Sequence, residues 1–243
     1  MAAALERAGG AFVALLRSLT REEGGMPIPG MRWTVTDTAI HMLNILRRGM
    51  GDRRRGDTLA GLAELNDLEI SEVTVADVHE VADLLEADVA TYAGLLGGLT
   101  DDAASSAVID LHAGVRSDIP TGLSYQLFDY LAHGYDIATA THRSWDVPAP
   151  EAALVLRAAL PALGPWVRPE ILAGARQRTA FLLSDQGVGL EIVVGGGTYR
   201  VQQGPRDSTD WTADPVELFM AMAGRMESAV PEVARVASWY EPI

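Results

Sequence analysis

Leu127–Ile137 reads LFDYLAHGYDI, an aromatic and apolar stretch that nevertheless carries Asp129, His133 and Asp136. Its apolar residues recur at helical spacing, and the surrounding signals frame a helix from about Gly122 to Thr141. Pro120 suits the entry to that helix, and Trp145 and Pro148 follow its end. Residues four apart on a helix stack on one face. Asp129 therefore lies one turn before His133, and Asp136 about one turn after. Three ionisable groups on one stripe of a core-like helix are expensive to bury. A divalent cation would compensate them. A set of ordinary core hydrogen bonds is the other reading.

Working outward, a second helix begins upstream at Thr34, which sits three residues before Asp37 in a capping-box arrangement with a shorter acid. It runs from about Val35 to Arg48 and carries His41 inside the otherwise apolar stretch Thr38–Leu43. Residues 4–19 form another apolar stripe, through Leu5, Ala8, Phe12, Leu15 and Leu16. Val75–Leu96 forms a fourth, through Val78, Val81, Leu85, Val89, Tyr92 and Leu96. Four long helices with one apolar stripe each predict a four-helix bundle over residues 1–149.

After Pro148 the pattern changes. Glu151–Leu160 is helical, Pro161, Pro165 and Pro169 interrupt, and from Arg178 the period becomes two. Strands are expected at Thr179–Leu183, Leu190–Val194 and Thr198–Gln202, with a further one at Ser208–Thr212. Asp185, Gln186 and Gly187 make the first turn, and Gly195, Gly196 and Gly197 the second. Asp214 and Pro215 open a last helix that ends at Gly224. The fold class is α+β: a helical bundle, then a small α+β domain over residues 150–243 with an antiparallel sheet.

The bulk composition excludes several functions. There is no cysteine among the 243 residues, so disulfides, zinc fingers and thiol nucleophiles are absent. All 19 basic residues are arginine, which removes lysine-based Schiff-base chemistry and suggests a high-GC genome. A net charge of −14 argues against nucleic acid and against an anionic membrane surface. No run of apolar residues reaches the ~18 of a membrane span, and Met1–Thr20 lacks the order of a signal peptide. A cytoplasmic protein is expected.

The remaining polar features have plainer readings. His79 sits off the apolar stripe among Asp77, Glu80 and Asp83 and is expected to be solvated. His142 falls at a helix end, where a cation favours the exposed carbonyls. His112, in Leu111–Gly114, has no assignable structure. Arg53, Arg54 and Arg55 read as a solvated loop rather than an anion site, and Thr100–Asp102 and Glu64–Glu72 as solvated acidic stretches. Gly195–Gly197 lacks the lysine and helix of a phosphate loop. Trp145 and Trp166 are expected at the join of the two domains, and Trp211 along the sheet.

His41 and His133 remain. Imidazole and carboxylate are suited to zinc, and three protein ligands leave a position open for a substrate. Pro29–Leu43, PGMRWTVTDTAIHML, resembles the opening motif of the mycothiol-dependent maleylpyruvate isomerase family within the DinB-like superfamily: a tryptophan, a short capping segment and a metal-binding histidine. Asp129–Trp145, DYLAHGYDIATATHRSW, resembles its second motif, an acid and a histidine four apart followed by G-x-D. Asp214–Arg225, DPVELFMAMAGR, is similar to the last helix of the family's sterol-carrier-like C-terminal domain.

The resemblance implies that His41, Asp129 and His133 are ligands of a divalent metal, with zinc the expected ion. It also implies that Arg225 approaches the active site and that Asp136 supports it. The family's acid is usually glutamate, and Asp129 is one methylene shorter. The implied cofactor is mycothiol, the actinobacterial thiol, and the implied partners are this thiol and a small electrophilic substrate. A metal-activated thiolate would add to a conjugated cis double bond; rotation and elimination would give the trans product, and an S-transferase would stop at addition. Two alternatives stand beside this: a metal- and thiol-independent isomerase or cyclase of specialised metabolism on the same scaffold, and a non-catalytic binder of a hydrophobic ligand.

Overall fold

The computed structural model describes residues 1–52, 54–75, 77–184, 187–204 and 208–241. The expectations for Arg53, Asp185 and Gln186 fall outside these residues. The chain divides into two units, Met1–Asp146 and Val147–Ile243.

The first unit contains α1 (Ala2–Arg17), α2 (Arg21–Gly24), α3 (Val35–Gly49), α4 (Leu59–Glu72), α5 (Val78–Gly97), α6 (Asp101–Ser106) and α7 (Ile119–Ala140). A two-stranded antiparallel ribbon, β1 (Ile109–Asp110) with β2 (Arg116–Ser117), precedes α7. The bundle consists of α1, α3, α5 and α7: α1 and α3 each pack on both α5 and α7. Phe12, Leu16, Met42, Leu43, Leu85, Leu127 and Tyr130 fill its core. Burying each such side chain contributes about 2 kcal/mol.

Helix ends follow the local sequence. Thr34 and Asp37 form the expected reciprocal capping box. Asp118 caps α7 by accepting from the N–H of Thr121, with Pro120 in the first turn. At the other end of α7, His142 takes a left-handed conformation, φ +55°. The N–H groups of His142 and Arg143 then close onto the carbonyls of Thr139 and Ala138, a Schellman stop. His142 thus serves as a backbone cap.

Helix α4 is unannounced in the sequence, because its apolar residues form no clean stripe. It packs on α3. The expectation that Glu64–Glu72 is solvated fails at Glu69, which is 1% exposed. Glu69 is paired with the buried Arg48 of α3, and an ion partner is what makes such burial tolerable. Thr100–Asp102 is exposed as expected, at the start of α6. His79 is not simply solvated: its Nε2 lies 2.8 Å from the Leu19 carbonyl, to which it donates. Trp145 packs inside the first unit, edge-on to Phe12 at 6.3 Å, and its indole donates to the Leu131 carbonyl.

The second unit contains α8 (Ala149–Ala159), α9 (Pro169–Ala173), β3 (Gln177–Leu183), β4 (Val188–Gly195), β5 (Thr198–Gly204), β6 (Trp211–Ala213), α10 (Pro215–Met222) and α11 (Pro231–Ala237). The sheet order is β5-β4-β3-β6. Strands β3, β4 and β5 form the antiparallel meander the period-two pattern predicts. The fourth strand corrects the expectation: it begins at Trp211, and it runs parallel to β3. Gly195, Gly196 and Gly197 all have positive φ, which is the physical reason for three glycines at this hairpin. Helix α10 packs on α8 and α11.

Candidate active site around an imidazole pair

Helices α3 and α7 are antiparallel neighbours: the Gln126 side chain of α7 reaches the Ile45 carbonyl of α3 while His133 faces His41 one turn away. The two imidazoles meet edge to face, with ring centroids 5.2 Å apart. Both are buried, 5% and 7% exposed. Trp33, at the mouth of α3, lies over His41 at 4.7 Å and approaches His133 at 6.4 Å.

The two rings are in different states. Nδ1 of His133 lies 3.0 Å from a carboxylate oxygen of Asp136, so it carries the proton and donates. In the neutral ring that tautomer leaves the lone pair on Nε2. Nδ1 of His41, by contrast, is buried without a hydrogen-bond partner. Burial first, then the neighbouring His133, then Arg48 and His112, hold His41 well below the usual histidine range, so it is neutral. A neutral imidazole with an unpartnered nitrogen beside a carboxylate-oriented one offers two nitrogen donors of the kind that hold a metal ion.

Asp129 occupies the turn before His133, half-buried; burial first, with a smaller contribution from the Asp129 charge, raises the phenols of Tyr125 and Tyr130. Among the described residues no three His, Asp or Glu side chains converge tightly enough to hold a metal ion. The structure thus brings together His41, His133 and Asp136. Arg225 belongs to the second unit, where it follows the left-handed Gly224 and its guanidinium donates to the Ala223 carbonyl.

The stripe of α3 that carries His41 continues through Asn44 and Arg48, at the third and seventh residues on. Nδ2 of Asn44 is buried and unpartnered. Arg48 donates to Glu69 and to Asn66, and its Nη1 lies 3.2 Å from Nε2 of His112. His112 in turn accepts from the Gly56 N–H at Nδ1. Burial, then Arg48 and Arg55, push His112 down to about 3. The sequence reading singled out neither Asn44 nor Arg48, and their helical spacing from His41 is the signal that points to them. Glu69, Asn66 and His112 carried no such signal.

The sequence profile of the mycothiol maleylpyruvate isomerase N-terminal domain matches residues 5–138. No curated protein matches the sequence. Among solved structures, the chain is similar to a mycothiol-dependent maleylpyruvate isomerase, with 14% identity and a TM-score of 0.58 over 93% of this chain and 88% of that one. A variant of that isomerase with one histidine replaced by alanine matches with the same identity and coverage, at a TM-score of 0.56. At this identity the likeness establishes a shared fold.

Proposed function

Because the chain belongs to the family defined by the mycothiol maleylpyruvate isomerase N-terminal domain, we propose that it is a thiol-dependent isomerase or S-transferase whose reactive centre is the His41–His133 pair. The observation that carries this reading is the buried, unpartnered Nδ1 of His41 beside an imidazole already oriented by Asp136. An uncompensated buried polar atom costs about 1–3 kcal/mol, a cost that a bound ion would remove.

In this reading His41 and His133 would hold a divalent cation, zinc by the chemistry of the donors, with Asp129 as the third ligand. The cation supplies a Lewis acid that favours thiolate over thiol, and mycothiol supplies reversible addition to a conjugated cis double bond. Asp136 keeps the proton of His133 on Nδ1 and so leaves Nε2 as the nitrogen that would serve a cation. Trp33 excludes water from one side of the pair.

The test is turnover of a cis-unsaturated oxo acid of the maleylpyruvate type, with the thiol present and with the metal content measured. Isomerisation that requires both thiol and cation, and is lost in His41→Ala, supports the reading. A stable thioether product identifies the S-transferase. Full turnover in His41→Ala overturns the metal chemistry. It would instead favour the metal-independent isomerase or cyclase.

A further inference from the structure

Trp33 is fixed from outside the bundle. Its indole N–H donates to Oδ1 of Asp67 on α4, 3.0 Å away. The other carboxylate oxygen of Asp67 takes an ion pair with Arg32 at 2.6 Å, and Arg32 also donates to the Ala63 carbonyl. Two consecutive residues of the segment before α3 are thus clasped by one carboxylate. That carboxylate is 39% exposed, so as an ion pair it adds little to stability. What it does is hold an aromatic ring over His41.

The rest of α4 is secured independently. Asn66 and Glu69, flanking Asp67, hold the helix to Arg48 of α3. Helix α4 therefore has an anchor that does not depend on Asp67, and the clasp acts on Arg32 and Trp33. The indole in turn packs on one imidazole at 4.7 Å and nears the other at 6.4 Å. An imidazole that gives electron density to a cation also stacks better on an electron-rich indole.

We propose that Asp67 is a positioning residue for the imidazole pair, acting through the Trp33 indole, which it locks as the wall that keeps His41 out of water. The proposal rests on the reading of His41–His133 as the reactive centre. It concerns the wall, and not the metal, so it is tested on the metal-free full-length chain.

The measurement is the rate of acylation of each histidine by diethyl pyrocarbonate, resolved by peptide mass spectrometry. Asp67→Ala releases the indole N–H, and the loss of one hydrogen bond to a charged acceptor should raise the rate at His41 by about tenfold. Asp67→Asn retains an acceptor for the indole and should remain within about twofold of the parent chain. His79, remote from the clasp on α5, should be unchanged in both. Equal rates at His41 in the parent and Asp67→Ala overturn the proposal. So does an equal rise in Asp67→Ala and Asp67→Asn, which would assign the effect to the Arg32 ion pair. A parallel rise at His79 also overturns it, because that reports general loosening. A parallel zinc titration separates this from the functional reading: a parent chain that takes up no zinc removes the metal chemistry and leaves the acylation comparison to decide the role of Asp67.

Discussion

The Asp136 carboxylate sits 3.0 Å from Nδ1 of His133, three residues back on the same helix, and both groups are buried. The contact fixes which nitrogen of His133 bears the proton and which direction its lone pair faces. Where an imidazole binds a metal, a carboxylate in this place raises its basicity, and removing it costs about 10–100-fold in affinity. Asp136→Asn, which keeps the shape and loses the charge, should bind zinc about tenfold more weakly than the parent. Chelator competition measures this. Unchanged affinity would remove Asp136 from the site.

Gly134 stands between these residues for a packing reason. A Cβ built there would meet Cε2 of Trp145 at 2.2 Å. The glycine and the tryptophan eleven residues later are therefore one contact, made possible by the reversal at His142. Gly134→Ala must push the indole off α7 and should destabilise the fold by about 1–3 kcal/mol, as overpacked cores do. Chemical denaturation reads the loss. A stability equal to the parent's would mean that Trp145 has room to move.

These two contacts show what the sequence could and could not disclose. His133, Asp136 and His41 were legible because helix periodicity places charged groups on an apolar stripe wherever the local sequence is strongly helical. The four bundle helices and the β3–β5 meander were legible for the same reason. Helix α4 was not, since residues 59–72 scatter leucine and acid around the helix, and only packing on α3 makes sense of Glu69. The parallel pairing of β6 was hidden because a three-residue strand has no period. Asp129 marks the limit of the same rule: spacing puts it one turn from His133, but spacing does not say whether a short carboxylate reaches across to α3.

The buried pair Arg48–Glu69 carries a large thermodynamic stake. Their side chains are 6% and 1% exposed, and Arg54 contributes a second, longer contact to Glu69 at 3.4 Å. Removing only Arg48 leaves a carboxylate in the interior with little compensation, and breaking such pairs costs about 3–5 kcal/mol. Arg48→Ala should fall at the low end of that range because Arg54 remains. The double variant Arg48→Met with Glu69→Leu should recover most of the loss, since matched apolar side chains of similar volume are close to neutral. Denaturant midpoints of the three proteins decide this. A double variant no better than Arg48→Ala would show that Asn66 and His112, not the charge pair, dominate the site.

His112 sets an acid limit on the first unit. Its ring is pushed down to about 3 by burial and then by Arg48 and Arg55, against an ordinary histidine value near 6.5 in the unfolded chain. The folded state therefore refuses a proton that the unfolded state accepts. The stability this group contributes is complete above about pH 6.5 and is lost as pH falls towards 3. The slope is bounded by about 1.4 kcal/mol per pH unit, and the partial exposure of the ring keeps it lower. His41 is depressed in the same direction, so the parent chain loses stability through both groups. His112→Gln removes one of them. Its stability should fall less steeply between pH 7 and pH 5 than the parent's, by up to about 2 kcal/mol over that window. Parallel curves for the two proteins would mean that a proton on His112 is accommodated beside Arg48, and that the contact at 3.2 Å opens readily.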